Sequence, residues 1–236
     1  RDGELLIGRN FDFYVNDAFA ENKIVEFIQP KIGYNYTSVT WPGMVGVVSG
    51  MNEKGLTITL NAGQSSIPLR GKTPVSIVAR SILQHAANLS EAVALAQQFE
   101  VFVAESFLIG SAADNKAIVI EMSPDKFDVY EQHNGKLICT NHFQSATYQS
   151  DVRNQEHIAT SHSQYRFQKL EETFPAFQTY QVADVLRVLR DVSGLQEATI
   201  GLGNEKALNQ LMAHHAVIFQ PQKLIMYVSN NPYQLG

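Results

Sequence analysis

A single cysteine, Cys139, excludes an internal disulfide framework and a Cys-based zinc site, though it leaves the compartment open. No apolar stretch is long enough to span a bilayer as a helix. Positive charge is scarce: 18 Lys and Arg against 23 Asp and Glu leave a formal net charge of -5. With no basic stripe to neutralise phosphates, a nucleic-acid surface is not expected. No His-Glu-x-x-His occurs among the 7 histidines. His157 and His162 do not share a helix face, and the adjacent His214 and His215 would point to opposite faces of a strand. Neither a metal nor a cofactor is therefore expected. Gly46-Val47-Val48-Ser49-Gly50 is not Gly-x-Ser-x-Gly, and its strand-turn-strand context is wrong for a nucleophile elbow. Gly201-Leu202-Gly203 lacks the third glycine of a dinucleotide loop.

What is present suits one substantial core: 236 residues, 44% of them hydrophobic and 17% charged. There is no repeat, low-complexity tract or linker, so residues 1–236 are expected to form one domain. The earliest apolar run, Leu5-Leu6-Ile7, reads as a buried strand leading into Gly8-Arg9-Asn10-Phe11-Asp12-Phe13. It carries Arg9, Asn10 and Asp12 toward the interior, where charged groups persist only when paired. The alternative is an ion pair at a strand end on the surface.

Strands are also expected over Lys23–Ile28, Tyr34–Thr40 and, by clear alternation, Leu56–Leu60. Val45–Ser49 is a short apolar run, and Asn52-Glu53-Lys54-Gly55 makes a turn. Thr73-Pro74 should open a helix, with Thr73 as N-cap and Pro74 at the first helical position. A second helix should run from Ser90 to about Phe99, and the pair should lie on a sheet. Strands resume at Phe107–Ala112, Ala117–Met122, Phe127–Tyr130 and Leu137–Thr140, the last two joined across Asn134-Gly135. Helices are expected over Asn154–Phe174, Gln181–Val192 and Glu205–Met212. A closing hairpin follows, from Ala216–Phe219 to Leu224–Val228. This order predicts an α+β fold with two stacked, mainly antiparallel sheets and helices outside them.

Asn61 and Asn141 end two of these strands, and Arg166 lies on the helix beyond. Each alone reads as a turn cap or a solvated helix face. Cys139 sits among apolar strand residues with no neighbouring base, as a small buried hydrophobe would; a nucleophile is the alternative reading. Asn35-Tyr36-Thr37 and Asn88-Leu89-Ser90 fit a glycosylation pattern that recurs by chance. Phe11, Phe13, Tyr14, Tyr34, Tyr36 and Trp41 could line an apolar acyl pocket or fill the core.

Gly8-Arg9-Asn10-Phe11-Asp12-Phe13, Met51-Asn52-Glu53-Lys54-Gly55-Leu56 followed by Leu60-Asn61, Thr140-Asn141 and Tyr165-Arg166-Phe167 together resemble the choloylglycine hydrolase family of N-terminal nucleophile (Ntn) hydrolases. That family includes bile salt hydrolases and penicillin V acylases. The final segment, His214 to Phe219, is more similar to the related acyl-CoA:6-aminopenicillanic acid acyltransferase group. The resemblance implies a four-layer αββα sandwich and hydrolysis of a small-molecule amide by a cysteine at the mature N-terminus. It implies that Arg9 favours the thiolate, Asp12 orients the α-amine, Asn61 and Asn141 donate to the oxyanion, and Arg166 braces the site. Relatives are often dimers or tetramers, so a homo-oligomer is compatible.

No such cysteine stands upstream of Arg9. Arg1-Asp2-Gly3 reads as a hairpin turn, and both observations lead to the expectation that a strand bearing the nucleophile precedes Arg1. Residues beyond the turn-like stretch 230–236 are expected on similar grounds. An acyltransferase using the same acyl-enzyme, and a non-catalytic binding relative, are the alternatives.

Overall fold

The Leu-Thr-Ile-Thr-Leu alternation of residues 56–60 becomes the middle strand of the larger of two sheets. The structure, a computed structural model, describes residues 3–13, 22–65, 71–132, 135–175 and 179–229. The expectations placed on Arg1, Asp2, Tyr14, Asn134 and residues 230–236 lie outside these. Among the described residues the strands are β1 (Ile7–Asp12), β2 (Ile24–Ile28), β3 (Tyr36–Thr40), β4 (Ser49–Asn52), β5 (Leu56–Ala62), β6 (Glu105–Ser111), β7 (Lys116–Met122), β8 (Phe127–Tyr130), β9 (Ala213–Gln220) and β10 (Ile225–Ser229). β2 to β8 form one antiparallel sheet in chain order, and the smaller sheet has the order β1-β9-β10.

The helices are α1 (Val75–His85), α2 (Leu89–Ala96), α3 (Val152–Thr160), α4 (Ser163–Thr173) and α5 (Val182–Leu189). Val78, Ala79, Ile82 and Leu83 form the buried stripe of α1. With α2 they bury Leu56, Ile58, Phe107 and Ile109 on the outer face of the large sheet. Ile7, Val217 and Phe219 meet Val39 and Met51 between the sheets. Val185 and Leu189 of α5 cover Ala216 and Ile218 on the other face of the small sheet. The layers therefore run helix pair, large sheet, small sheet, α5. Each fully buried Leu or Ile contributes about 1.5–3 kcal/mol. No helix among the described residues is long and apolar enough to cross a membrane.

Gly8 is required where β1 crosses α5, since a Cβ there would stand 2.3 Å from Val185 Cγ1. Gly55 closes the β4–β5 turn with φ +71°, a conformation open to glycine.

Several elements differ from expectation. The first strand begins at Ile7, so Arg9, Asn10 and Asp12 lie within it. Pro74 is the N-cap of α1, and Thr73 instead bridges Val101. Asn88 caps α2, accepting from Glu91 N. The segment 154–174 breaks into two helices, as Ser161 N closes α3 onto His157 O and Ser161 Oγ accepts from Ser163 N. Leu137–Thr140 is not a strand. Side chains satisfy its backbone instead: Gln132 accepts from Ile138 N, and Gln144 and Asn61 donate to the carbonyls of Ile138 and Cys139. The stretch 205–212 forms turns, because Gln210 Nε2 bonds the carbonyls of Glu205 and Ala207.

Candidate active site

β1 sorts its side chains by alternation. The odd residues face the large sheet, and there Arg9 is buried. Its Nη1 donates to Val48 O at 2.9 Å and to Ser49 Oγ, and its Nη2 donates to Leu60 O at 2.6 Å. The guanidinium carbon lies 4.5 Å from the Phe11 ring centroid. Ser49 Oγ accepts from Arg9, which leaves the hydroxyl proton for His215 Nε2 at 3.0 Å. Burial brings Arg9 down to about 10, opposed by Asp12, Glu105 and Cys139, so it stays charged at neutral pH.

His214 and His215 do not point to opposite faces. The β1–β9 register pairs Phe11 with His215 and Asp12 with Ala213, leaving His214 as the extra residue of a bulge. Both imidazoles therefore contact the Phe11 ring, with centroids at 6.0 and 5.1 Å, and both contact Trp41.

The even residues of β1 face α5. Asn10 Nδ2 donates to Leu189 O and Leu208 O, each at 2.8 Å. Asp12 ends β1, past the bulge, at the cavity. Its Oδ1 is sealed from solvent and has no hydrogen-bond partner among the described residues. Burial raises this carboxyl to about 6, against the opposing charges of Arg166 and Arg9.

Asn61 stands near the end of β5. Its Nδ2 donates to Cys139 O and Sγ, both at 3.3 Å. Asn141 Nδ2 donates to Ala62 O at 3.2 Å. The Asn141 backbone N donates to Ser163 Oγ at 2.7 Å, at the start of α4. Arg166, one turn along α4, donates from Nη2 to Asn141 Oδ1 at 2.8 Å and from Nη1 to Glu205 O at 2.7 Å.

Arg9, Asp12, Asn61, Asn141 and Arg166 all line one cavity of about 760 Å³. Its floor runs along β1, and its walls are largely apolar, including Met44, Leu60, Val75, Leu137 and Leu189. Of the aromatic candidates Phe11, Phe13 and Trp41 line it; Tyr34 and Tyr36 do not. Cys139 also lines it, but burial pushes its thiol up to about 12. A neutral thiol is a poor nucleophile, which agrees with the structural reading of Cys139.

Sequence reasoning missed three residues here. Ser49 and His215 hold the Arg9 fork. Glu105, at the head of β6, turns a buried carboxyl to the cavity. The available signals were a lone Ser closing an apolar run and a lone acid opening an apolar strand.

The acyl-coenzyme A:6-aminopenicillanic acid acyl-transferase family matches residues 1–229. The chain belongs to that family. Solved structures similar to this acyl-transferase family member share its Ntn-hydrolase fold. The N-acylethanolamine-hydrolyzing acid amidase ortholog of Caenorhabditis elegans has a TM-score of 0.62 at 19% identity, over 93% of this chain and 89% of that one. Penicillin V acylase from Agrobacterium tumefaciens gives 0.56 at 13%, over 97% and 80%. A single-residue variant of conjugated bile acid hydrolase from Clostridium perfringens gives 0.54 at 14%, over 95% and 85%. An uncharacterised protein of Archaeoglobus fulgidus is 32% identical over 136 residues, which is 54% of this chain and 22% of that protein. The match thus spans under a quarter of that relative's length. The family match shows membership of that family, and the solved structures show its fold.

Proposed function

We propose that this protein cleaves a linear C–N amide through the thiol of an N-terminal cysteine, carried on a strand upstream of Arg1. The observation that carries the reading is Asp12 Oδ1, a sealed oxygen beside two guanidiniums that has no hydrogen-bond partner among the described residues. An unsatisfied buried acceptor costs about 1–3 kcal/mol, and an α-ammonium set there would supply the donor. Among the described residues β1 pairs only with β9, so its other edge is open beside the cavity. A preceding strand laid on that edge would run antiparallel to β1. Its first residue would then lie opposite Asp12, the far end of β1. In this reading residues 1–236 form one domain whose first strand lies upstream.

The chemistry follows from those positions. The α-amine, with a pKa near neutrality, takes the thiol proton, and the thiolate attacks the amide carbonyl. The fixed charge of Arg9 favours the thiolate. Asn61 and Asn141 exchange their long bonds to backbone carbonyls for the developing oxyanion. One such donor is worth about 3–4 kcal/mol. The C–N bond breaks as the α-ammonium returns the proton to the leaving amine, leaving a thioester. Water, deprotonated by the same amine, cleaves the thioester to the acid and restores the thiol. Arg166 holds Asn141 in position. The apolar walls favour an apolar acyl portion, of N-acyl amide, penicillin V or bile-salt type.

The family match favours a second reading, in which the same thioester passes its acyl group to an amine instead of water. Product analysis with an added amine acceptor separates the two. The test of the main reading is thiol alkylation of the native protein and of its Cys139→Ser variant. Loss of amide hydrolysis in both supports it; full hydrolysis after alkylation overturns it.

A further inference from the structure

Glu105 opens β6 opposite Ala62 of β5, next to the end of β5 that carries Asn61. It is 7% exposed, lines the cavity, and its carboxyl has no hydrogen bond or ion pair to any described residue. Arg9 is the cation whose field reaches it, yet Arg9 directs its Nη atoms to Val48 O, Ser49 Oγ and Leu60 O. The mechanism above gives Glu105 no task.

We propose that Glu105 is the recognition group of this cavity and takes a protonated amine carried by the amide substrate, an inference that rests on the amidase reading. An ammonium presents three donors to a carboxyl that has none. A plain alkyl tail would leave that carboxyl dehydrated and unpaired, which is unfavourable. The charge balance also fits. Burial raises Glu105 to about 8, so at pH 7 it is mostly neutral. An arriving ammonium displaces the carboxyl proton to solvent. The cavity then exchanges one positive charge for another, and its net charge is unchanged. The other ionisable groups facing Glu105 are Arg9 from β1 and Cys139 from the segment after β8. From α1 the cavity receives Val75 and Ser76, neither ionisable. Arg9 stays charged and Cys139 neutral near pH 7, so the released proton comes from Glu105.

The test is calorimetric binding of two non-cleavable ketone isosteres of one linear acyl amide. One acyl tail ends in a primary amine, the other in a methyl group. The amine ligand should bind about tenfold tighter or better, the worth of one hydrogen bond to a charged group. Titration in buffers of different ionisation enthalpy should show release of up to about one proton. Glu105→Gln should abolish both the preference and the release while keeping the thermal transition. Equal binding of the two ligands, a preference that survives in Glu105→Gln, or amine binding without proton release would each overturn the inference. Since these ligands are not turned over, an amine preference without hydrolytic activity would overturn the amidase reading and leave this site standing. Amide hydrolysis with no amine preference would do the reverse.

Discussion

Arg166 donates from Nη2 to Asn141 Oδ1 at 2.8 Å, and this bond ties α4 to the loop bearing one of the amide donors in the cavity. Because that oxygen is held, the Asn141 Nδ2 group is turned toward the cavity side at Ala62 O.

Asn141→Ala should therefore lower kcat by about 10²–10³, as removal of one oxyanion donor does elsewhere. Arg166→Ala should lower kcat with KM nearly unchanged. Since both act through one bond, the double variant should fall little further than Asn141→Ala alone. Steady-state kinetics on the native protein checks all three.

Ser49→Ala removes the hydroxyl between Arg9 and His215. It leaves a guanidinium N–H and His215 Nε2 unpartnered in a dry environment. A destabilisation of about 1–3 kcal/mol is expected. For a chain of this length that lowers Tm by several degrees, readable by scanning calorimetry.

Gly8→Ala sets a methyl group against Val185 and should destabilise by about 1–3 kcal/mol. Val185→Ala opens the space. The double variant should be more stable than the sum of the two single losses predicts, and a double-mutant cycle in denaturant measures that coupling.

The pH dependence of stability has a definite sign above the histidine range. His142 is lowered to about 4 and the buried His215 is lowered as well, so both favour folding as pH rises toward 6.5. Asp12, raised to about 6, opposes them over part of that window. Above about pH 7.5 these lowered histidines are largely neutral in both states, so their contribution has levelled off. Glu105, raised from 4.5 to about 8, still holds its proton when folded and not when unfolded. Stability contributed by a raised carboxyl is lost as pH climbs. Unfolding free energy should thus fall by about 0.5–1 kcal/mol between pH 7.5 and 8.5, and Glu105→Gln should flatten the slope. Denaturant titrations at three pH values check it.

Period-two and helical spacing were legible where a single face is buried, as in Leu56–Leu60 and in the Val78, Ala79, Ile82, Leu83 stripe of α1. They misled where side chains take over backbone hydrogen bonding. Leu137–Thr140 has strand composition, yet Gln132, Gln144 and Asn61 hold it outside any sheet. Glu205–Met212 has helix composition, yet Gln210 folds back on its carbonyls. Arg9, Asp12, Asn61, Asn141 and Arg166 were singled out by the family resemblance that their order and strand context carry, not by residue pattern alone, and the structure brings them to one cavity. The cavity roles of Ser49, His215 and Glu105 were not legible because a buried polar residue within an apolar strand looks, in sequence, like one on the solvent side. The His214 bulge escaped for a related reason: strand alternation assumes an unbroken register.

The most direct test of the account is to locate the acyl-enzyme. The native protein would be quenched during turnover of a slowly hydrolysed acyl amide and mapped by peptide mass spectrometry. The account predicts a thioester on an N-terminal cysteine, one strand's length upstream of Arg1. An acyl group on Cys139, or hydrolysis with no acyl-cysteine at all, would contradict it.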